Sequence, residues 1–287
     1  MNRILAALSL PILLASGLTN VDAQTGQKHP TPPKSLRLYI FDCGTIHTTN
    51  TDSYSLKKEE VATTEMAIPC ILVVHPKGAM MWDNGDIPDS AFPPGGGPAT
   101  AGVVTQARPL LPQLAEVGYT PADIMYLAMS HYHGDHMANA NYFAGSTWLV
   151  RKVERDRMFS DNPIPRSDPA NYSQLKNSKT IIVDKDEYDV FGDATVILKS
   201  TPGHTPGHQS LFLKLAKTGP IVLSGDLYHY PEERTLNRLP VSEFDKAQTA
   251  ASRAELDSFL KKTGAQLWIQ HDFMGNAKLK KAPAFYE

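Results

Sequence analysis

The chain has 287 residues, 41% hydrophobic and 20% charged, which is close to ordinary globular usage and ample for one sizeable core. Its formal net charge is -2 and it carries no long basic run, which argues against nucleic acid as a partner. The one local basic cluster, Lys278-Leu279-Lys280-Lys281, reads as a solvated tail.

Taken in chain order, Arg3, the apolar stretch 4–14 and Val21-Asp22-Ala23 before Gln24 have the form of a signal peptide over residues 1–23. That stretch is too short to span a bilayer comfortably, so the expected location is periplasmic or secreted, with no membrane attachment after cleavage and an uncleaved anchor as the alternative. Residues 24–35 form a polar, Pro-rich lead-in, and the folded domain is expected over 36–287. Residues 36–41, 70–74 and 79–82 read as early strands. The run Pro93-Pro94-Gly95-Gly96-Gly97-Pro98 makes residues 88–100 an irregular rim. Residues 106–117 read as a helix, and 126–129, 148–150 and 180–183 as strands. Residues 158–178 are polar and Pro-containing, with Phe159, Tyr172 and Leu175 available for an apolar substrate wall, although both irregular stretches could equally be plain surface loops. Later strands are expected at 195–199, 221–223 and 267–269, and a helix at 245–262, where Ala, Leu and charged residues recur at helical spacing. Two cysteines, Cys43 and Cys70, leave a disulfide and a pair of buried thiols both open.

Chemistry concentrates in His131-Tyr132-His133-Gly134-Asp135-His136, three imidazoles and a carboxylate placed directly after an apolar run. Imidazole nitrogen and carboxylate oxygen are the donors that zinc-like divalent ions accept. A strand carrying His131 and His133 would point both rings to one face, and a helix starting at Gly134 would swing Asp135 and His136 to a neighbouring point. Two half-built metal positions result. A polar loop with capping residues is the bland alternative, but such a cluster is costly to leave unpaired. Six residues cannot close the coordination of two ions. His204 in the Gly/Pro-rich turn 201–208, Asp226 after strand 221–223 and His271 after strand 267–269 supply further ligand-type residues at strand ends.

In this order, the residues resemble the metallo-β-lactamase superfamily of binuclear hydrolases over nearly all of the mature chain. The resemblance implies an α/β fold, a single-domain four-layer αβ/βα sandwich. It also implies two divalent ions, expected to be zinc. His131, His133 and His204 would hold the first, Asp135, His136 and His271 the second, and Asp226 both. Asp83, in Trp82-Asp83-Asn84-Gly85, and His208 would support the ligands from behind. A water bridging the ions would be the nucleophile, with Asp135 orienting it. Residues 201–213 and Ile269-Gln270-His271-Asp272 most resemble the N-acyl-homoserine lactonases, which implies a small-molecule lactone substrate. Asp226 argues against typical β-lactamases, and His133 against the diiron redox branch, which usually has Glu there. Thioesterases of the glyoxalase II type share the seven ligands, but their C-terminal basic residues are unmatched. The related lactonases often carry Tyr three positions after the bridging Asp. Here that position is His229, so the assisting role is open among Tyr228, His229 and Tyr230. A phosphotriesterase or arylesterase of the same fold and a metal-binding protein without turnover are the rivals, and a homodimer is left open.

Overall fold

The computed structural model describes residues 30–287 apart from Pro163; the expected signal peptide, 1–23, and residues 24–29 of the lead-in lie outside the described residues. Residues 30–36 carry no helix or strand. Strand β1 (Arg37–His47) then turns Leu38 and Ile40 to one face and Tyr39 and Phe41 to the other, and all four are buried. A strand apolar on both faces needs a layer on each side. That requirement organises the molecule.

β1 pairs antiparallel with β2 (Glu65–His75), and β2 with β3 (Gly78–Trp82). Two short strands, β4 (Ala99–Ala101) and β5 (Val104–Gln106), extend the β1 edge. On the far side β3 is followed in parallel register by β6 (Ile124–Ala128), β7 (Thr147–Val150) and β8 (Thr180–Ile182). The second sheet runs β13-β12-β11-β10-β9, made of β9 (Glu187–Asp189), β10 (Val196–Ser200), β11 (Gln209–Leu215), β12 (Gly219–Leu223) and β13 (Gln266–Trp268). The chain returns to the first sheet as β14 (Phe285–Tyr286), which pairs with β1.

The inner faces of the two sheets meet in one core: Leu38, Ile40, Val73 and Trp82 from the first pack with Val196, Leu198, Leu211 and Leu223 from the second. The outer face of the first sheet is covered by the helix α1 (Leu110–Glu116) and the segment around Phe143 and Tyr172. Three short helices follow along the chain: α2 (Gly134–Met137), α3 (Lys152–Met158) and α4 (Pro231–Thr235). On the outer face of the second sheet, Phe212 and Val222 meet Leu256 and Leu260 of α5 (Lys246–Thr263). A last short helix, α6 (Phe273–Asn276), precedes β14. The result is the expected four-layer αβ/βα sandwich, a single α/β domain. Among the described residues, no helix is long and apolar enough to cross a membrane.

The expected 245–262 helix is α5, capped by the Asp245 carboxylate, which accepts from the N–H groups of Ala247 and Gln248, and ended by Gly264 at φ 68°. The expected 106–117 helix is shorter. Residues 104–106 are strand and the helix starts only after Pro109, because Pro holds the residue before it out of the helical region. Asp89 then accepts from the N–H groups of Leu110 and Leu111 at 2.7 and 2.6 Å.

Cys43 and Cys70 form a disulfide across β1 and β2, with a Cα separation of 5.8 Å, and both are fully buried. The oxidised state is the one of the two open alternatives that the structure shows. Closing a loop of 27 residues removes unfolded-state freedom worth about 3 kcal/mol. Replacing both cysteines by Ala is expected to lower Tm by several degrees in thermal unfolding; an unchanged Tm would show that the bond contributes nothing.

Candidate metal centre

The ligand-type residues lie on loops that leave the two sheets along one shared edge. β6 ends at Ala128, and His131 and His133 stand in the bent segment that follows rather than on the strand that the sequence suggested. Their rings converge because the loop is tied down. The Asp83 carboxylate accepts from the Ser130 N–H at 2.7 Å and its hydroxyl at 3.1 Å, and the Gly134 N–H reaches the Arg166 carbonyl at 2.7 Å. From Gly134 the chain enters α2, which turns Asp135 and His136 toward a second point, as the sequence suggested. Glu154 on α3 joins this loop to the next: it accepts from Tyr132 N–H at 3.0 Å, the Thr205 hydroxyl at 2.9 Å and Gly207 N–H at 2.7 Å. His204 is thereby fixed opposite His131. Asp226 follows β12, at a turn where Gly225 has φ 54°; a side chain at 225 would meet His208 Nε2 at 2.6 Å.

Two donor sets result. Ligand atoms of His131, His133, His204 and Asp226 all lie within 4.8 Å of one another, and so do those of Asp135, His136, Asp226 and His271. Asp226 belongs to both. Its Oδ1 lies 3.0 Å from His136 Nε2 and 3.0 Å from His271 Nε2, while Oδ2 lies 3.5 Å from His131 Nε2 and 3.3 Å from His204 Nε2. In the first set the inward nitrogens crowd together: His133 Nδ1 is 2.7 Å from His131 Nε2 and 3.0 Å from His204 Nε2.

The outward nitrogens are mostly engaged. His131 Nδ1 meets the Ser130 hydroxyl at 3.0 Å, His136 Nδ1 the Asp83 carboxylate at 2.8 Å, His204 Nδ1 Glu243 at 3.1 Å and His271 Nδ1 the Ala67 carbonyl at 2.7 Å. An N–H held at the back leaves the inward nitrogen a bare lone pair aimed at the centre, the arrangement that metal-binding histidines use. His136 Nε2 and Asp226 Oδ1 are both buried without a hydrogen-bond partner among the described residues. Buried polar atoms are rarely left so, and a cation between them satisfies both. The donor chemistry and the orphaned atoms therefore fit two divalent ions, with Asp226 shared.

Electrostatics points the same way. Burial, reinforced by neighbouring imidazoles, holds His131 and His133 well below the usual imidazole range, in the neutral form that coordinates. Burial also opposes charge on His136 and His271, but Asp226 and Asp135 outweigh it; His136 is held well above its usual range and His271 is pushed up to about 10. Without an ion, protons on these two rings balance the buried carboxylates.

Of the three candidates for the assisting role, only His229 faces the centre. The backbone is extended at Tyr228 and Tyr230, so side chains alternate. Tyr228 packs with Phe212 and Leu260, its ring 4.2 Å from the Arg253 guanidinium. Tyr230 packs with Leu56 and Met66 and donates to the Thr64 carbonyl at 2.9 Å. His229 is buried, with Nδ1 3.2 Å from Glu233 Oε1 and Nε2 3.2 Å from Asp226 Oδ2, the latter off the line of a hydrogen bond. Glu233 is in turn held by Arg253 at 2.6 Å. His208 supports Asp226 from behind: its Nε2 accepts from the Asp226 N–H at 2.9 Å, which leaves its Nδ1–H to the Thr201 carbonyl. Gln270 accepts from Trp82 and Gly225 and donates to Asp83 at 2.8 Å. Glu154, Glu233, Glu243 and Gln270 carry no signal of their own in the sequence, and of these Gln270 alone stands next to a candidate metal ligand, His271.

The centre opens into a cavity of about 650 Å³ bordered by Asp135, Asp226, His229 and His271. Both irregular segments reach it, the first through Pro88 and the second through Arg166, Ser167, Asp168 and Asn171. The apolar wall expected from residues 158–178 is not there. Tyr172 and Leu175 are fully buried in the core, with Phe159 packed against it, and they leave a polar wall in their place. Ile46, Met66, Ala101 and Val103 supply apolar surface instead.

A metal ion must displace the protons on His136 and His271, whose affinity for protons is raised, so metal binding is expected to strengthen as pH rises and to release protons. Zinc titrations of the metal-free protein between about pH 6 and pH 8 test this; pH-independent affinity without proton release would contradict it.

A model of the metallo-beta-lactamase superfamily matches residues 63–265. The N-acyl homoserine lactonase AttM of Azorhizobium caulinodans is 30% identical over 267 residues, covering 88% of this chain and 99% of that protein. The N-acyl homoserine lactonase AiiA of Bacillus thuringiensis subsp. kurstaki is 27% identical over 223 residues, covering 75% and 85%. In fold, the chain is similar to a solved N-acyl homoserine lactone hydrolase with the product N-hexanoyl-L-homoserine bound at its catalytic metal center, with a TM-score of 0.71, 24% identity and coverage of 88% and 99%. A dizinc quorum-quenching lactonase, AidC, matches with a TM-score of 0.64 at 20% identity, covering 88% and 94%. With the family match spanning most of the sandwich and both donor sets in place, the chain belongs to the metallo-β-lactamase superfamily.

Proposed function

We propose that the chain is an exported binuclear zinc hydrolase that opens the lactone ring of N-acyl-homoserine lactones. The observation that carries this reading is the Asp226 carboxylate shared between two buried donor sets beside a cavity of about 650 Å³, a size that suits a small organic ligand. The likeness to AttM along nearly its whole length supports the lactone as substrate. Zinc suits donor sets made only of imidazole and carboxylate. Neither cysteine is available as a ligand, because both are in the disulfide. The buried disulfide supports export, since such bonds persist in oxidising compartments.

His131, His133 and His204 would hold one ion, Asp135, His136 and His271 the other, and Asp226 would contribute to both. When bound, the pair supplies an activated water at neutral pH and a Lewis acid for the carbonyl under attack. The protein's own groups do the rest. Asp135 borders the cavity, its side chain 19% exposed, and burial alone would raise its pKa; His136 and His271 outweigh that and keep it ionised. An ionised carboxylate there accepts a hydrogen bond from the attacking water and can take its proton. The carbonyl carbon gains the hydroxyl, the ring C–O bond breaks, and the ring oxygen leaves as an alcohol carrying the other proton. Ile46, Met66, Ala101 and Val103 give the acyl chain an apolar wall.

Removing a ligand leaves its partners converging on nothing. His133→Ala or Asp226→Ala is expected to abolish lactone turnover, a loss well beyond the roughly 10- to 100-fold that losing an outer hydrogen-bond partner costs; full activity in either variant would contradict the assignment. A rate comparison across lactones of several chain lengths, a β-lactam, an aryl phosphotriester and a glutathione thioester is expected to favour a lactone. Faster turnover of the phosphotriester would overturn the substrate class while leaving the centre intact. Export predicts that the mature protein starts at Gln24, which N-terminal sequencing of the secreted or periplasmic fraction reads directly.

A further inference from the structure

His229 leaves a specific gap. Its Nδ1 is held by Glu233, and its Nε2, 3.2 Å from Asp226 Oδ2, is turned toward the shared carboxylate. The Tyr228 and Tyr230 side chains pack elsewhere. Breaking an ester is eased by a donor to the oxygen that departs, because charge builds up there as the C–O bond lengthens.

Among the described residues, Tyr54 is the only phenol bordering the cavity, alongside Asp135, Asp226 and His229. Its ring is wedged against two neighbours, with centroids 4.7 Å from His229 and 5.1 Å from Tyr230. The segment that carries it is pinned from both sides. The Thr51 hydroxyl donates to the Leu56 carbonyl at 2.8 Å, the Ser55 hydroxyl to the Leu239 carbonyl at 2.7 Å, and the Val241 N–H to the Ser53 carbonyl at 2.7 Å. Packing thus fixes the ring, yet no residue among those described makes a hydrogen bond to its hydroxyl. A rigid phenol with an uncommitted donor beside the reacting centre is preorganised for a ligand.

We infer that Tyr54 is a further catalytic residue whose hydroxyl donates a hydrogen bond to the leaving oxygen of the substrate. No bond in Tyr54 breaks: the phenol keeps its proton and the alcohol product takes one from the attacking water. Burial, reinforced by the neighbouring Tyr230, holds the phenol above its ordinary range, in its protonated, hydrogen-donating form. The inference rests on the ester-hydrolase reading of the site, but not on the lactone as the particular ester.

The test compares zinc-loaded wild type with Tyr54→Phe on hexanoyl-homoserine lactone and on a series of esters graded by leaving-group basicity. Phe keeps the ring packing and removes only the donor. Expected are a drop in kcat on the lactone on the order of 10²-fold with KM little changed, a steeper dependence of kcat on leaving-group basicity, and unchanged Tm and zinc content. Unchanged kcat, or a loss of equal size for every leaving group, would overturn the assignment. If wild type hydrolyses the esters but no lactone, the substrate proposal fails while the ester series still judges Tyr54.

Discussion

The two oxygens of Asp226 face opposite ways, and the rest of the structure is arranged so that they can. Oδ1 looks to His136 and His271, Oδ2 to His131, His204 and His229. A buried carboxylate is costly unless cations or donors surround it. Five imidazoles turn toward this one carboxylate, and two divalent ions fit the donor sets they form with it. Everything nearby serves to hold those groups in place. His208 fixes the Asp226 backbone, Asp83 and Gln270 brace His136 and the Ser130 loop, and Glu154 clamps the loops of His133 and His204 to each other.

The sandwich explains how His131 and His271, 140 positions apart, reach one point. Strands buried on both faces force two sheets and two outer layers, and the loops leaving β6, β10, β12 and β13 emerge at the same edge. Placing a site on loops over a rigid scaffold separates stability from chemistry. The core between the two sheets is apolar, while the metal-ligating side chains gather at the rim where the loops meet.

Much of this was legible in the sequence where the signal was dense or periodic. Three histidines and an aspartate within six residues announce a metal site, and α5 shows itself through Asp245 before it and Gly264 after it. What could not be read depended on long-range approach. Strands β4, β5, β9 and β14 have two or three residues each, too few for periodicity. Cys43 and Cys70 are 27 residues apart, a spacing that says nothing of how their Cβ atoms meet. The convergence of His131 and His133 was expected from the pleat of a strand, but hydrogen bonds to a bent loop produce it. Glu154, Glu233, Glu243 and Tyr54 act singly, and a lone Glu or Tyr looks the same on a surface as behind a ligand. Tyr228 and Tyr230 misled for a related reason: alternation along extended backbone turns both away when His229 turns in.

Anomalous diffraction at the zinc edge from crystals of the zinc-loaded protein reads the two-ion arrangement directly. Two peaks per chain are expected, one among His131, His133 and His204, one among Asp135, His136 and His271, with Asp226 touching both. A single peak, or two peaks of which Asp226 touches only one, would contradict it.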